Sequence, residues 1–209
     1  MDNTVQSLLA KTLFRFIKQL DNEADTLING KHAGLVNYSS HLGRQKEKWE
    51  KPINDRLTEL FIESGCYAQR EIKYPNMPRQ KCDLVIDIPL IGKFWLEMKM
   101  AWKDWHGNNK TNSSFNGYLD GSSKTHSFAH DFEKLNRLTT EDGQYIGQLL
   151  IGFDSENNPM ISNVLSVVEK LNLPSHGWQM LGPETWTDRN CSPYRFHVWF
   201  FCKQLEKCL

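Results

Sequence analysis

No stretch of this chain has the unbroken apolar run that a membrane helix needs, and its start lacks the pattern of a secretory signal. A soluble, cytoplasmic protein is therefore expected. Cysteine is sparse: five, an odd number at irregular spacing, fits a reducing compartment better than a disulfide framework. Cys191, His197, Cys202 and Cys208 lie mostly in or beside an apolar segment, so no Cys/His set has zinc spacing. An excess of one charge is missing too. Twenty-five acidic and 25 basic side chains cancel, which argues against a large nonspecific grip on nucleic acid but leaves room for a locally basic cleft. There is no internal repeat, low-complexity tract or glycine-rich phosphate loop. At 209 residues the chain is long enough for one domain with a substantial core.

What is present is concentrated between Cys82 and Met100. Leu84, Ile86 and Ile88, then Phe94, Leu96, Met98 and Met100, occupy the even positions, while the odd ones carry Asp83, Val85 and Asp87, then Trp95, Glu97 and Lys99. Strict alternation is the period of a strand with one apolar face. Pro89 and Gly92 supply turn chemistry between the two runs. A turn centred on Ile91 pairs position i with 182 − i, placing Asp83 opposite Lys99 and diagonal to Glu97. That register gathers Asp83, Glu97 and Lys99 on the face away from the apolar residues.

Two carboxylates beside a lysine suit a hard cation. Mg²⁺ accepts oxygen from one or two carboxylates, with water and substrate phosphate completing its shell. Such a site polarises a phosphodiester and lowers the pKa of bound water, and the lysine orients that water or stabilises charge at phosphorus. The bland counterpart is an alternating charged strand on a solvated sheet face. Glu71-Ile72-Lys73 shows how cheaply the triplet arises, since no strand-borne aspartate precedes it.

With Asp83, Glu97 and Lys99 the sequence resembles the PD-(D/E)xK, or restriction-endonuclease-like, nucleases, with Cys82 where the name-giving proline often stands. The resemblance implies an α/β fold with a mixed central sheet flanked by helices. Its core runs helix, three strands, helix, strand, often with an extra glutamate on the first helix. The flanking sequence follows that order over residues 45–153. Residues 45–64 are helical in pattern, with Ile53, Leu57, Leu60 and Phe61 on one stripe; Pro52 sets the regular start near residues 49–51 and Gly65 is a stop. Residues 67–74 supply the first strand, the signature hairpin the second and third, 127–138 the second helix, and 145–153 an apolar strand buried on both faces.

Glu50 projects near the centre of the apolar stripe of the first helix, whereas Glu59 projects almost opposite. Glu50 is therefore read either as assisting at a second metal or as a first-turn carboxylate favouring the helix dipole. The polar stretch 103–125 reads as a long loop. Either it tracks a nucleic-acid backbone with Lys103, Lys110 and Lys124 and stacks bases on Trp105, Phe115 and Tyr118, or it is a surface insertion. Asp131 and Lys134, in an Asp-x-x-Lys-Leu run similar to one on this helix in several superfamily members, are either substrate-side groups or a surface ion pair. His126 and His130 have i, i+4 spacing but no third ligand.

Residues 4–29 form an amphipathic helix that packs on the core or pairs with its own copy, and Gly30 and Gly34 end that extension. A helix over 160–171, a segment 178–186 broken at Gly182-Pro183 and a closing strand 194–202 make up the tail, 154–209. The expectation is one nuclease-like domain, 1–209, hydrolysing DNA with Mg²⁺, for which Mn²⁺ substitutes. Asp83, Glu97, the Met98 carbonyl and Glu50 would hold metal, and Lys99 would position the attacking water. A homodimer cutting duplex DNA, as in type II restriction enzymes, fits a small chain. The alternative is a noncatalytic nucleic-acid- or protein-binding module on the same scaffold.

Overall fold

The computed structural model describes residues 3–27, 50–105, 108–122, 127–138, 144–187 and 194–205. Helices α1 (Asn3–Leu27) and α2 (Glu50–Glu63) precede strands β1 (Tyr67–Tyr74), β2 (Met77–Ile88) and β3 (Gly92–Trp102). A short hairpin follows, β4 (Asp104–Trp105) with β5 (Asn108–Asn109), then α3 (Asn112–Asp120) and α4 (Phe128–Asn136). Strand β6 (Tyr145–Ser155), helix α5 (Ile161–Lys170), a 3-10 turn at Pro174–His176, β7 (Gln179–Thr187) and β8 (Tyr194–Gln204) complete the described chain. The result is an α/β fold around a mixed six-stranded sheet, ordered β1-β2-β3-β6-β8-β7. Among the described residues, only β3 and β6 pair in parallel. A parallel pair needs a crossover, and α3 and α4 lie in it.

Alternation decides which face each strand gives to which helices. Leu84, Ile86, Phe94, Leu96, Met98 and Met100 pack with the apolar sides of α1 and α2. Val85, Trp95 and Ala101 point the other way, into a second core with Phe115, Leu119, Phe132 and Val164 of α3, α4 and α5. All of β6 is buried, as its continuous apolar run predicts. At Gly147 the packing leaves no space for a side chain, since an added Cβ would lie 2.6 Å from the Phe200 ring and 2.7 Å from Leu96. Gly147→Ala is expected to cost about 1–3 kcal/mol of overpacking. A urea midpoint equal to wild type would count against this reading of the sheet centre.

Three expectations need correction. The β2–β3 pairs run from Ile88↔Gly92 to Leu84↔Leu96, so partners sum to 180 and the turn centres on Leu90, not Ile91. The reason is local: Leu90 takes a left-handed φ of 66°, closing residues 89–91 as the loop and leaving Gly92 to the strand. Extending the count sets Asp83 level with Glu97. The parity is unchanged, so the faces survive, except that Cys82 turns into the second core. Glu71, which falls opposite Asp83 by the β1–β2 count, has a φ of 56° there.

The polar stretch after β3 is not a loop throughout. Thr111 caps α3 through Ser114 N–H, Gly121 closes it in the left-handed conformation, and Phe115 and Leu119 provide a buried stripe. Finally, β7 runs through Gly182-Pro183 rather than breaking there. The sheet absorbs the pair as a register shift between Leu181 and Glu184. Among the described residues no helix is long and apolar enough to cross a membrane.

Candidate active site on the open edge of the third strand

The site begins where β2 and β3 part. Beyond Leu84↔Leu96 the two strands stop pairing, yet β3 continues to Trp102, held on its other edge by β6. This leaves backbone groups of β3 facing a gap. Met98 N–H donates to Asp83 Oδ2 at 2.9 Å, and Met100 N–H donates to Glu50 Oε1 at 3.1 Å. Met100 C=O accepts from the Tyr118 hydroxyl at 3.0 Å. In a strand the N–H and C=O of one residue face the same side, so the Met98 carbonyl shares this edge with Asp83 and Glu50. Glu50 reaches it from the N-terminal residue of α2.

The side chains of Glu97 and Lys99 stand on the sheet face covered by α4. Glu97 is 2 % exposed, accepts from the Tyr74 hydroxyl, and lies 2.7 Å from the Lys134 ammonium. Lys99 Nζ lies 3.2 Å from Asp131 Oδ2 and 3.8 Å from Glu50 Oε1. Asp131 Oδ1 is 3.7 Å from Lys134 Nζ, so this aspartate joins the two lysines. Gln148, beside Glu97 on β6, donates to Asp131 Oδ2 at 3.4 Å and to the Phe128 carbonyl at 3.2 Å. Four carboxylates and two ammonium groups from four elements thus meet in one place.

Their electrostatics follow from burial and crowding. Glu97 is pushed well above the usual carboxylate range by burial, then by Asp83; Lys134 opposes this. Burial also raises Glu50, against the pull of Lys99 and the Met100 N–H. Asp131 is raised by burial despite both lysines. For Lys99 burial works to lower the pKa, but Asp131 and Glu50 overcome it and hold the ammonium above its ordinary value. Lys134 behaves likewise through Glu97 and Asp131. Both lysines are therefore cations here, suited to orienting and stabilising charge rather than to accepting a proton.

Asp83, Glu97, Lys99, Glu50, Asp131 and Lys134 are all brought together. Lys103 is not. It is buried toward α5, where its ammonium bonds the Pro159 carbonyl at 2.5 Å and Asn163 Oδ1 at 2.6 Å. Phe115 is fully buried and so not presented for base stacking, while half-buried Tyr118 spends its hydroxyl on β3 and carries the Lys110 ammonium 4.7 Å from its ring centre. Lys124 and His126 lie outside the described residues. His130 stands 4.0 Å from Glu133, on the exposed side of α4.

Two partners were not legible as site residues. Gln148 carries a signal, being the one amide in an apolar strand. Tyr74 carries none, because only the fold sets the end of β1 against Glu97.

The donor set of Asp83, Glu97, Glu50 and the Met98 carbonyl is all oxygen, the chemistry of a hard divalent cation. Carboxylates outnumber ammonium groups four to two, and burial drives three of them toward protonation, so a cation binding here would compete with protons for their oxygens. Among the described residues, however, no three acidic, histidine or cysteine side chains already form a ready metal cage. The lysines hold the carboxylates in this arrangement. Compared with known proteins, the chain matches no family model, no curated protein and no solved structure.

Proposed function

We propose that this chain is a restriction-endonuclease-like, metal-dependent nuclease that hydrolyses DNA phosphodiester bonds. The observation that carries this reading is the convergence of Asp83, Glu97, Lys99 and Glu50 on the open edge of β3. The element order α2, β1 to β3, α4, β6 around a mixed sheet is compatible with that superfamily's core. Asp83, Glu97 and the Met98 carbonyl would hold Mg²⁺, with Mn²⁺ as substitute and Glu50 assisting. When bound, the ion supplies Lewis-acid polarisation of the phosphate and a more acidic water. Lys99, kept charged by Asp131 and Glu50, orients the attacking water and stabilises charge gathering on the phosphoryl oxygens. Asp131 positions Lys99, and Gln148 positions Asp131. A dimer of this small chain cutting duplex at a defined sequence is the restriction-type form of the proposal.

One observation favours the second reading, a noncatalytic nucleic-acid- or protein-binding module. Lys134 and Lys99 already neutralise Glu97 and Asp131, so the cluster closes on itself as a structural network. Metal response separates the two. A working site gains about 2.7 kcal/mol at a hundred times the dissociation constant, and Asp83→Asn should abolish the gain.

The response should also grow with pH. Glu97, Glu50 and Asp131 have raised pKa values in the folded protein. Their contribution to stability is full below the ordinary carboxylate range of about 4 and is lost as pH rises through the folded values. Metal competes with those protons, so Mn²⁺ should raise the melting temperature more at about pH 8 than at about pH 5.5. Cleavage of supercoiled plasmid, linear duplex and single strands with Mg²⁺, Mn²⁺ or EDTA completes the test. Metal-dependent cutting supports the nuclease, and discrete bands support the restriction type. A protein that neither cuts nor responds to metal is the noncatalytic module.

A further inference from the structure

A second feature lies beside the site, at the outer end of the β1–β2 hairpin. The pairs Lys73↔Lys81 and Tyr74↔Met77 bracket a shift in register, and Pro78, Arg79 and Gln80 of β2 have no partner on β1. A bulge of this kind re-aims side chains. Here it forms one wall of a groove of about 480 Å³, lined by Asn76, Met77, Pro78, Arg79, Gln80 and Arg137. Asn76 Nδ2 donates to the Arg137 carbonyl at 2.6 Å, tying the turn to the C-terminal end of α4. Arg79 and Arg137 are exposed, and neither makes an ion pair among the described residues. The Gln80 side-chain oxygen is buried without a hydrogen-bond partner.

The position of the groove gives it meaning. Arg137 follows Lys134 by three residues, and Lys134 reaches Glu97. Three residues of helix advance about 4.5 Å, close to the roughly 3.4 Å that one nucleotide advances along a duplex axis. Arg79 and Arg137 line the same groove and make no ion pair among the described residues, and two guanidinium groups so placed suit a phosphate, which they bind through planar, charge-assisted hydrogen bonds. We propose that this groove is a phosphate subsite, taking a backbone phosphodiester of nucleic acid one or two nucleotides from the bond held at Glu97 and Lys99. The identity of the polyanion and its distance from a scissile bond rest on the nuclease reading. A solvated pair of surface arginines, with Arg137 favouring its helix end, is the competing account.

The test is binding without cutting. Fluorescence anisotropy of a labelled short DNA duplex and of its single strand, in Ca²⁺ over a salt series, compares wild type with Arg79→Gln/Arg137→Gln. The control is Lys11→Gln/Arg15→Gln on α1, across the sheet. Losing the contacts to this one phosphate should weaken binding roughly tenfold or more and reduce the salt slope by about 0.9 for duplex or about 0.7 for single strand. The control should match wild type.

Unchanged affinity and slope, or no binding by wild type, would overturn the subsite. A lower melting temperature with unchanged slope would also overturn it and assign Arg137 to the helix end. Weaker binding by the double variant when wild type fails to cut with either Mg²⁺ or Mn²⁺ keeps the subsite and removes the nuclease. Cutting with an unchanged KM in the double variant does the reverse.

Discussion

Lys99→Ala is expected, on the proposed nuclease reading, to lower kcat for phosphodiester hydrolysis by about 10² to 10³, the usual loss when one preorganised charge is removed from a reacting oxyanion. Its KM should move far less, because a charge used mainly in the transition state contributes little to ground-state binding. The ammonium lies 3.2 Å from Asp131 and 3.8 Å from Glu50, and those two carboxylates keep it charged. Lys99→Arg should not restore the rate, since a planar guanidinium cannot occupy the place of a compact ammonium between them.

The variant has a structural cost as well. Asp131 and Glu50 lose their shared cation, and truncating one partner of a buried pair costs about 3–5 kcal/mol. Kinetics should therefore be measured with saturating metal and with folding checked by circular dichroism. The metal-induced rise in melting temperature should survive, because Asp83, Glu97 and the Met98 carbonyl remain. Loss of both cutting and metal response would move Lys99 from a positioning role to the integrity of the site. Cutting at the wild-type rate would remove it from the mechanism.

An equally large loss of stability is expected at Asp154→Ala, outside the proposed site. Asp154 is fully buried at the end of β6. Its Oδ2 lies 3.0 Å from His197 Nε2 and accepts from Met160 N–H at 2.8 Å, while Oδ1 accepts from Arg195 Nε at 3.0 Å. His197 in turn lies 2.8 Å from the Thr185 hydroxyl through Nδ1, which links β6, β8 and β7 in one polar chain. Alanine leaves a buried histidine, an arginine and an amide without their acceptor, and about 3–5 kcal/mol should be lost. A urea-denaturation difference below about 1 kcal/mol would show the network to be dispensable.

The pH dependence of the same group has the opposite sign to that of the proposed active site. Burial would raise the Asp154 pKa, but His197, Met160 N–H and Arg195 hold it below the ordinary value. Its contribution is therefore full above about pH 4 and lost as pH falls through the folded value. Asp154→Ala should lose that acid-side slope, whereas Asp83→Asn should retain it.

Much of this was legible because local patterns carry it. Alternation over residues 83–100 set the strand faces, since a one-residue slip would expose every apolar side chain. Glu50 could be found because a carboxylate on the core-facing stripe of a helix needs a reason. The helical neighbours Asp131 and Lys134 were visible as a pair, but their roles were not: only packing of α4 on β3 sets one on Lys99 and the other on Glu97. The hairpin register missed by two residues because both candidate turns preserve the parity of the faces. Leu90, with its left-handed φ, was the turn residue, rather than the glycine that usually supplies such geometry. The 112–120 helix was hidden by a polar composition, and its cap at Thr111 and buried Phe115 matter only once α5 is beside it.

By itself, then, the sequence determined the order of elements, the two faces of the central strands and the acidic residues they carry, since side-chain period and apolar burial are local properties. Tertiary structure alone decided that β2 and β3 part at Leu84, exposing backbone for Asp83 and Glu50. It alone placed Tyr74 and Gln148 beside the carboxylates, turned Lys103 away from them, and set Arg79 and Arg137 along one groove. Those outcomes depend on contacts between residues distant in the chain, which no local period encodes.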